Sequence, residues 1–280
     1  MDSATIKLFL PFGDASRLRT AEISNWSGKA VAAPRTDLEE LLRRDEAEKA
    51  GVYLLLGTEP ETGKPAIYVG EAEVVRDRLK QHKEKEFWIA AVFFVSKDEN
   101  LTKAHVRYLE GRLIAEAISV GRYAVQNSQS GGSKLPESDR EDMEVFLARI
   151  RQLLPVLGSD VLLPVGQADH QKKSAVLTCE NKGALGKGLR TANGFVVFKG
   201  STAVEKERPS AITQHPYVVT LRQKLLAEGT LVAQEGFLIF TSDTEFSSPS
   251  AAAAVIHGGG ANGMTAWKDE KGRTLKEIEA

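Results

Sequence analysis

Residues 51–70 read GVYLLLGTEPETGKPAIYVG, two short apolar runs that each carry one tyrosine and each end in glycine. Period-two alternation places Val52, Leu54 and Leu56 on one face of the first run and Tyr53 with Leu55 on the other. In the second run Ile67 and Val69 share a face opposite Tyr68. An antiparallel pairing with Tyr53 opposite Tyr68 puts both phenols on one side of a hairpin. Cross-strand aromatic pairs also stabilise ordinary sheets, so the hairpin by itself reads as a packing unit.

Working outward, Ala72 to about Lys83 reads as a helix, Phe87–Ser96 as a third strand, and Leu101 to about Ser119 as a long helix capped by Asn100. The order is β-β-α-β-α. Upstream, IKLFLPFGD reads as a strand ended by Pro and Gly, and TDLEELLRRDEAEKA as a helix. Residues 1–45 are taken as an N-terminal extension and 46–155 as one domain. Its last helix lies in SKLPESDREDMEVFLARIRQLLPVLG, with Pro155 beyond its end. Residues 156–173 lose periodicity and read as a linker. From 174 to 280 the strand-like runs AVLTC, GFVVF and GFLIF alternate with glycine-bearing turns, and YVVTLRQKLLAEG is a helix stopped by Gly229, giving a separate α+β domain.

The two middle helices carry the polar residues of interest. Arg78 stands beside the apolar stripe of the first, with His82 one turn later; a guanidinium fork matches phosphoryl oxygens, although Arg78 alone also suits a solvated face. On the second helix Val106, Glu110, Leu113 and Ala117 form a stripe, so a carboxylate sits among apolar positions. An unpaired buried carboxylate is costly, which leaves Glu110 paired with Arg78 or Arg112, exposed at the stripe's edge, or bound to a cation.

The ordered set GVY at 51–53, YVG at 68–70, Arg78, the glutamate of YLEGRLIAEA and Asn127 in YAVQN closely resembles the GIY-YIG nuclease domain over residues 48–130. That resemblance implies a small antiparallel three-stranded sheet flanked by helices, and a divalent-metal-dependent endonuclease acting on DNA. Carried over, Tyr53 acts at the attacking water as or with the general base, and Tyr68 positions water or the scissile phosphate. Arg78 stabilises phosphate charge, His82 assists proton removal, and Asn127 contacts the phosphate or braces the site. Glu110 is the sole protein ligand of Mg²⁺ or Mn²⁺. A phenol with a reference pKa near ~10 needs a cation to serve as a base at neutral pH, which agrees with that division of roles. Glu71 departs from the pattern by adding negative charge where phosphate would lie.

The rest of the sequence bounds these expectations. Net charge is −1, and residues 64–112 hold ten basic against eight acidic side chains, so DNA affinity must draw on other segments. Residues 172–224 hold ten basic against three acidic side chains, a net +7 that suits phosphates or simply a solvated face. The start lacks the basic flank and apolar core of a signal peptide, and no run approaches a membrane span, so a cytoplasmic protein without a membrane partner is expected. A lone Cys179 reads as a packed thiol. GTEPETGK fails as a phosphate-binding loop because Lys64 precedes Pro65 instead of Ser or Thr, and GALGKG at 183–188 reads as a turn.

The C-terminal stretch EFSSPSAAAAVIHGGGANGMTAWKDEKGRTLKEI has SPS before an Ala-rich helix, a glycine-rich turn and Trp267 beside Lys268. Over about residues 195–280 it resembles an uncharacterised domain attached to nucleases and DNA methyltransferases, which implies help in target recognition; Trp267 in a core would make it a scaffold. A non-catalytic nucleic-acid-binding module is the alternative to a nuclease for the whole chain.

Overall fold

A computed structural model describes residues 3–127, 132–164 and 176–280. The chain divides into two compact units, Met1–Leu163 and Pro164–Ala280.

The first unit runs β1 (Ile6–Phe9), β2 (Arg19–Ile23), β3 (Gly28–Pro34), α1 (Leu38–Leu42), β4 (Gly51–Thr58), β5 (Pro65–Ala72), α2 (Val75–Gln81), β6 (Trp88–Ser96), α3 (Lys103–Val120), β7 (Ala124–Val125) and α4 (Glu137–Val156). Its sheet has seven strands in the order β1-β2-β3-β6-β4-β5-β7, where three were expected. The extra strands come chiefly from residues 1–45, so that segment is part of the sheet and not an appendage. β3 pairs with β6 from Gly28↔Ser96 to Pro34↔Ala90. Its sequence, GKAVAAP, is rich in alanine, which has little strand preference of its own. Burial between neighbours makes it a strand.

β4 lies between β5 and β6, so both of its edges are paired, and helices pack on both of its faces, which is why GVYLLL is apolar at every position. Val52, Leu54, Ile67 and Val69 pack on one face with Val106, Leu109 and Leu113 of α3 and Phe146, Leu147 and Ile150 of α4. Tyr53 and Leu55 pack on the other with Leu41 of α1 and Val75 and Leu79 of α2. The hairpin register differs from the expected one. Tyr53 pairs with Gly70, and Tyr68 with Leu55, so the tyrosines are diagonal on a shared face.

Several element ends also differ. The helix expected over TDLEELLRRDEAEKA stops after Leu42, and a 3-10 turn follows at Asp45–Glu48. There the largely buried Glu46 carboxylate is held by Lys29 at 2.7 Å and Arg44 at 2.9 Å. Thr102, not Asn100, caps α3 by accepting from the His105 N–H. Pro155 lies inside the last turn of α4. The expected linker at 156–173 begins with Val156 in that helix and with Leu157, Val161 and Leu162 buried in the first core; its later residues fall outside those described.

The second unit contains β8 (Leu177–Asn181), β9 (Ala184–Thr191), β10 (Gly194–Val197), β11 (Thr202–Val204), α5 (Pro209–Gln214), α6 (Pro216–Ala227), β12 (Leu231–Gln234), β13 (Phe237–Phe240), β14 (Thr244–Phe246), α7 (Pro249–His257), α8 (Gly263–Ala266) and α9 (Leu275–Ile278). Its antiparallel sheets run β14-β10-β9-β8 and β11-β13-β12. The stretch expected to be a turn, GALGKG, is mostly strand β9. A Cβ at Gly188 would lie 2.2 Å from the Val196 carbonyl oxygen, and one at Gly186 would lie 2.3 Å from Ile256 Cδ1, so these glycines permit close sheet and helix packing. Ser248 caps the Ala-rich α7 by accepting from the Ala251 N–H at 3.1 Å. Trp267 is a core residue, fully buried against Phe195 with its indole N–H donating to the Pro249 carbonyl at 3.0 Å.

Candidate functional site

The site forms where β5 runs out of a neighbour. β7 pairs with β5 only at Ala66↔Ala124 and Ile67↔Val125, and the Gln126 N–H adds a bond to the Ile67 carbonyl at 2.7 Å. Beyond that point, side chains take over the ladder. Asn127 accepts from the Val69 N–H at 3.0 Å and donates to the Val69 carbonyl at 2.6 Å, as a backbone amide of a next residue would. Two residues on, along the same edge, the Glu71 N–H is aimed at the Glu110 carboxylate and favours its charged form. Asn127 thus substitutes for a missing strand partner, which engages both ends of its side-chain amide.

Gly70, the glycine of YVG, is where the tyrosines depend on the absence of a side chain. A Cβ there would lie 2.3 Å from both Cζ and Oη of Tyr53, so the phenol lies directly across the strand. Tyr53 is 1% exposed. Its hydroxyl shares a 2.8 Å hydrogen bond with Nε2 of His82, the residue that ends α2. The Tyr68 ring completes the group, its centroid 4.9 Å from the imidazole and 6.2 Å from the Tyr53 ring. Tyr68 is only half-buried, so it is the phenol that meets solvent.

Burial, reinforced by the neighbouring Tyr68, pushes the Tyr53 phenol far above its ordinary value, against a smaller opposing pull from Arg78. Burial, with the charges of Lys85 and Arg78, pushes His82 down to about 4. At neutral pH the pair is therefore a protonated phenol beside a neutral imidazole. In the tautomer protonated at Nδ1, His82 Nε2 accepts the hydrogen bond donated by the phenol O–H. That Nδ1 is buried and without a partner among the described residues.

Arg78 is exposed on α2, held only loosely through Gln81 Oε1 at 3.1 Å, yet its charge acts on Tyr53, His82 and Glu110 together. Glu110 is half-buried. Burial and the charge of Glu71 push its carboxyl up, against opposing contributions from Arg107, Arg78 and the Glu71 N–H. The ion pair with Arg112 that the helix stripe allowed does not form; Arg112 instead contacts Glu144 and Tyr108. Among the described residues Glu110 has no cation within ion-pair distance, and no cluster of three or more His, Cys, Asp or Glu side chains could hold a metal.

Three residues gain a place at the site that sequence reasoning did not give them. Lys85 sets its ammonium 4.0 Å from the Tyr68 ring centroid. Glu71, read as an adverse charge, has Oε2 buried without a partner among the described residues, while Lys103 lies 3.6 Å from its other oxygen. Arg35 grips the loop behind His82. Nothing in the alternating charges of QHKEKEF marks Lys85 as special, and Arg35 lies 47 positions before His82. A cleft of about 460 Å³ is lined by Asp45, Glu48, Lys49, Glu73, Glu99 and Leu101, but it shares no residue with the tyrosine cluster.

In the second unit the basic stretch loses a cation to the interior. Arg222 is fully buried, donating to the carbonyls of Val204, Glu205 and Val255 and to the Glu207 carboxylate. Lys172 and Lys173 lie outside the described residues. Among the described residues no helix is long and apolar enough to cross a membrane.

No curated protein and no solved structure matches the chain. A family model described as Domain of unknown function (DUF4357) matches residues 177–279, which accords with the expected uncharacterised C-terminal domain, whereas the nuclease likeness of residues 48–130 has no counterpart among these matches.

Proposed function

We propose that the protein is a divalent-metal-dependent endonuclease whose first unit hydrolyses phosphodiester bonds in DNA and whose C-terminal unit aids target recognition. The observation that carries this reading is the 2.8 Å Tyr53–His82 hydrogen bond beneath a solvent-facing Tyr68. It is a proton path with a neutral acceptor at its end. Water attacks phosphorus at the Tyr68 phenol, its proton passes inward to Tyr53, and the proton of Tyr53 goes to His82 Nε2. The phosphorus–oxygen bond to the leaving group breaks, and solvent protonates the departing oxygen.

Arg78 would neutralise charge on the phosphate, a role supported by its exposure and weak engagement. The donor set fits a hard divalent ion: Glu110 is half-buried without a cation partner, and Glu71 beside it has a partnerless buried oxygen. When bound, such an ion would supply charge stabilisation at the phosphate. Asn127 keeps the β5 edge, and hence Tyr68, in place.

Cleavage of DNA with Mg²⁺ or Mn²⁺ should fall by about 100- to 10,000-fold in Tyr53→Phe and in Arg78→Ala, the range for a lost proton-transfer or positioning group. Glu110→Ala should lose both cleavage and Mn²⁺ binding measured by calorimetry; unchanged Mn²⁺ affinity would sink the metal assignment. The near-complete burial of Tyr53 favours a second reading, nucleic-acid binding on the same scaffold without cutting. Salt-sensitive DNA binding with no cleavage under any metal would select it.

A further inference from the structure

We propose that Arg35 is a positioning residue of the candidate site: its guanidinium holds closed the 82–88 loop that carries His82 and Lys85. The proposal rests on the nuclease reading for its kinetic consequence, but its structural consequence stands apart from it.

The geometry is specific. Arg35 follows β3 and reaches the loop between α2 and β6, where Nη1 donates to the carbonyls of Lys85 at 2.5 Å and Trp88 at 3.2 Å, and Nη2 donates to that of Lys83 at 2.6 Å. The guanidinium lies over the Trp88 ring, 4.5 Å from it. That indole in turn donates from Nε1 to the His82 carbonyl at 3.0 Å. Four carbonyls of one short loop therefore point at a single cation and the aromatic ring beneath it. Without them these groups would turn to water, and the loop would open. A second N-terminal side chain grips the same loop, Glu39 accepting from Lys83 Nζ at 2.5 Å. On its far side the loop passes so close to β4 that a Cβ at Gly57 would lie 1.9 Å from the Phe87 carbonyl oxygen.

What the loop presents is the polar half of the site. At its start His82 bonds Tyr53, and three residues on Lys85 covers Tyr68. Only an arginine has the planar fork to serve three carbonyls while stacking on a ring. The N-terminal strands thus do more than widen the sheet: they deliver the clasp that sets His82 against Tyr53.

The test uses the full chain and two readouts. In Arg35→Ala, the titration midpoint of the His82 imidazole, followed by NMR, should rise from about 4 toward 6.5 as the loop loosens and water enters. The groups facing His82, namely Tyr53, Tyr68, Arg78 and Lys85, are unchanged in that variant. Its kcat should fall about 100-fold with KM unchanged, the scale of a small misplacement of a reacting group. Added guanidinium ion at low, non-denaturing concentration should restore part of it. Should the alanine variant fail to fold, Arg35→Lys keeps the charge without the fork and should show the same rise in midpoint. A His82 midpoint unchanged in whichever variant folds overturns the proposal. Wild-type protein that cuts no DNA with either metal overturns the nuclease reading instead, leaving the NMR result to judge Arg35.

Discussion

Each unit of this protein sets a histidine, buried in the first and half-buried in the second, against another protic side chain, and the two pairs behave in opposite ways. In the first unit His82 meets the Tyr53 hydroxyl at 2.8 Å, its other nitrogen has no partner among the described residues, and the neighbouring Tyr68 opens to solvent. In the second, His257 at the end of α7 meets Cys179 Sγ at 3.2 Å, and its Nδ1 is bonded by Arg208 at 3.4 Å. Because the arginine can only donate, Nδ1 must be the acceptor and Nε2 carries the proton toward sulfur. Burial pushes the Cys179 thiol up to about 12, so it stays protonated and is no nucleophile. His257, held on both sides by groups that keep their protons, serves packing, whereas His82 has Nε2 in position to take the proton of Tyr53.

That contrast can be broken most forcefully at Gly70. Gly70→Ala drives a methyl into the Tyr53 phenol, so cleavage should drop at least about 100-fold, and overpacking should cost about 1–3 kcal/mol in urea unfolding. Retained activity would mean that Tyr53 is not at the reacting centre. A smaller effect is expected on the other side of the comparison. Cys179→Ala should cost about 1 kcal/mol in stability and leave DNA cleavage at the wild-type rate. A large loss of cleavage there would show that the second pair is not merely structural.

A pH dependence of stability is expected as well. With His82 pushed down to about 4 from an ordinary 6.5, the unfolded chain takes up the proton before the folded one. Stability should therefore be complete above about 6.5 and decline as pH falls toward about 4, where the folded form is protonated too. Urea unfolding across that window should show the decline in wild-type protein and a shallower one in His82→Gln. An unaltered slope would place the acid sensitivity elsewhere, with His257, which burial also pushes down, as the next residue to change.

Much of the hairpin was legible in GVYLLLG and AIYVG, because alternation assigns faces and a fully apolar run announces a strand covered on both sides. Its register was not. Pairing Tyr53 with Gly70 depends on the phenol needing the space above a glycine, a contact that no local pattern encodes. Asn127 was legible as a residue near the site, but its mimicry of a strand partner was not, since that follows from where β7 happens to stop. Trp267 and Arg222 could equally have been surface groups from sequence; only burial decided otherwise.

The sequence by itself determined which residues can do chemistry here and which faces their strands present, since both follow from side-chain type and a period of two. Tertiary structure alone decided that residues 1–45 complete the sheet, that Arg112 pairs with Glu144 and not with Glu110, and that Arg35 closes the loop behind His82. Those outcomes depend on which carbonyls and carboxylates are left without partners once the strands have paired, and that is a property of the assembled sheet.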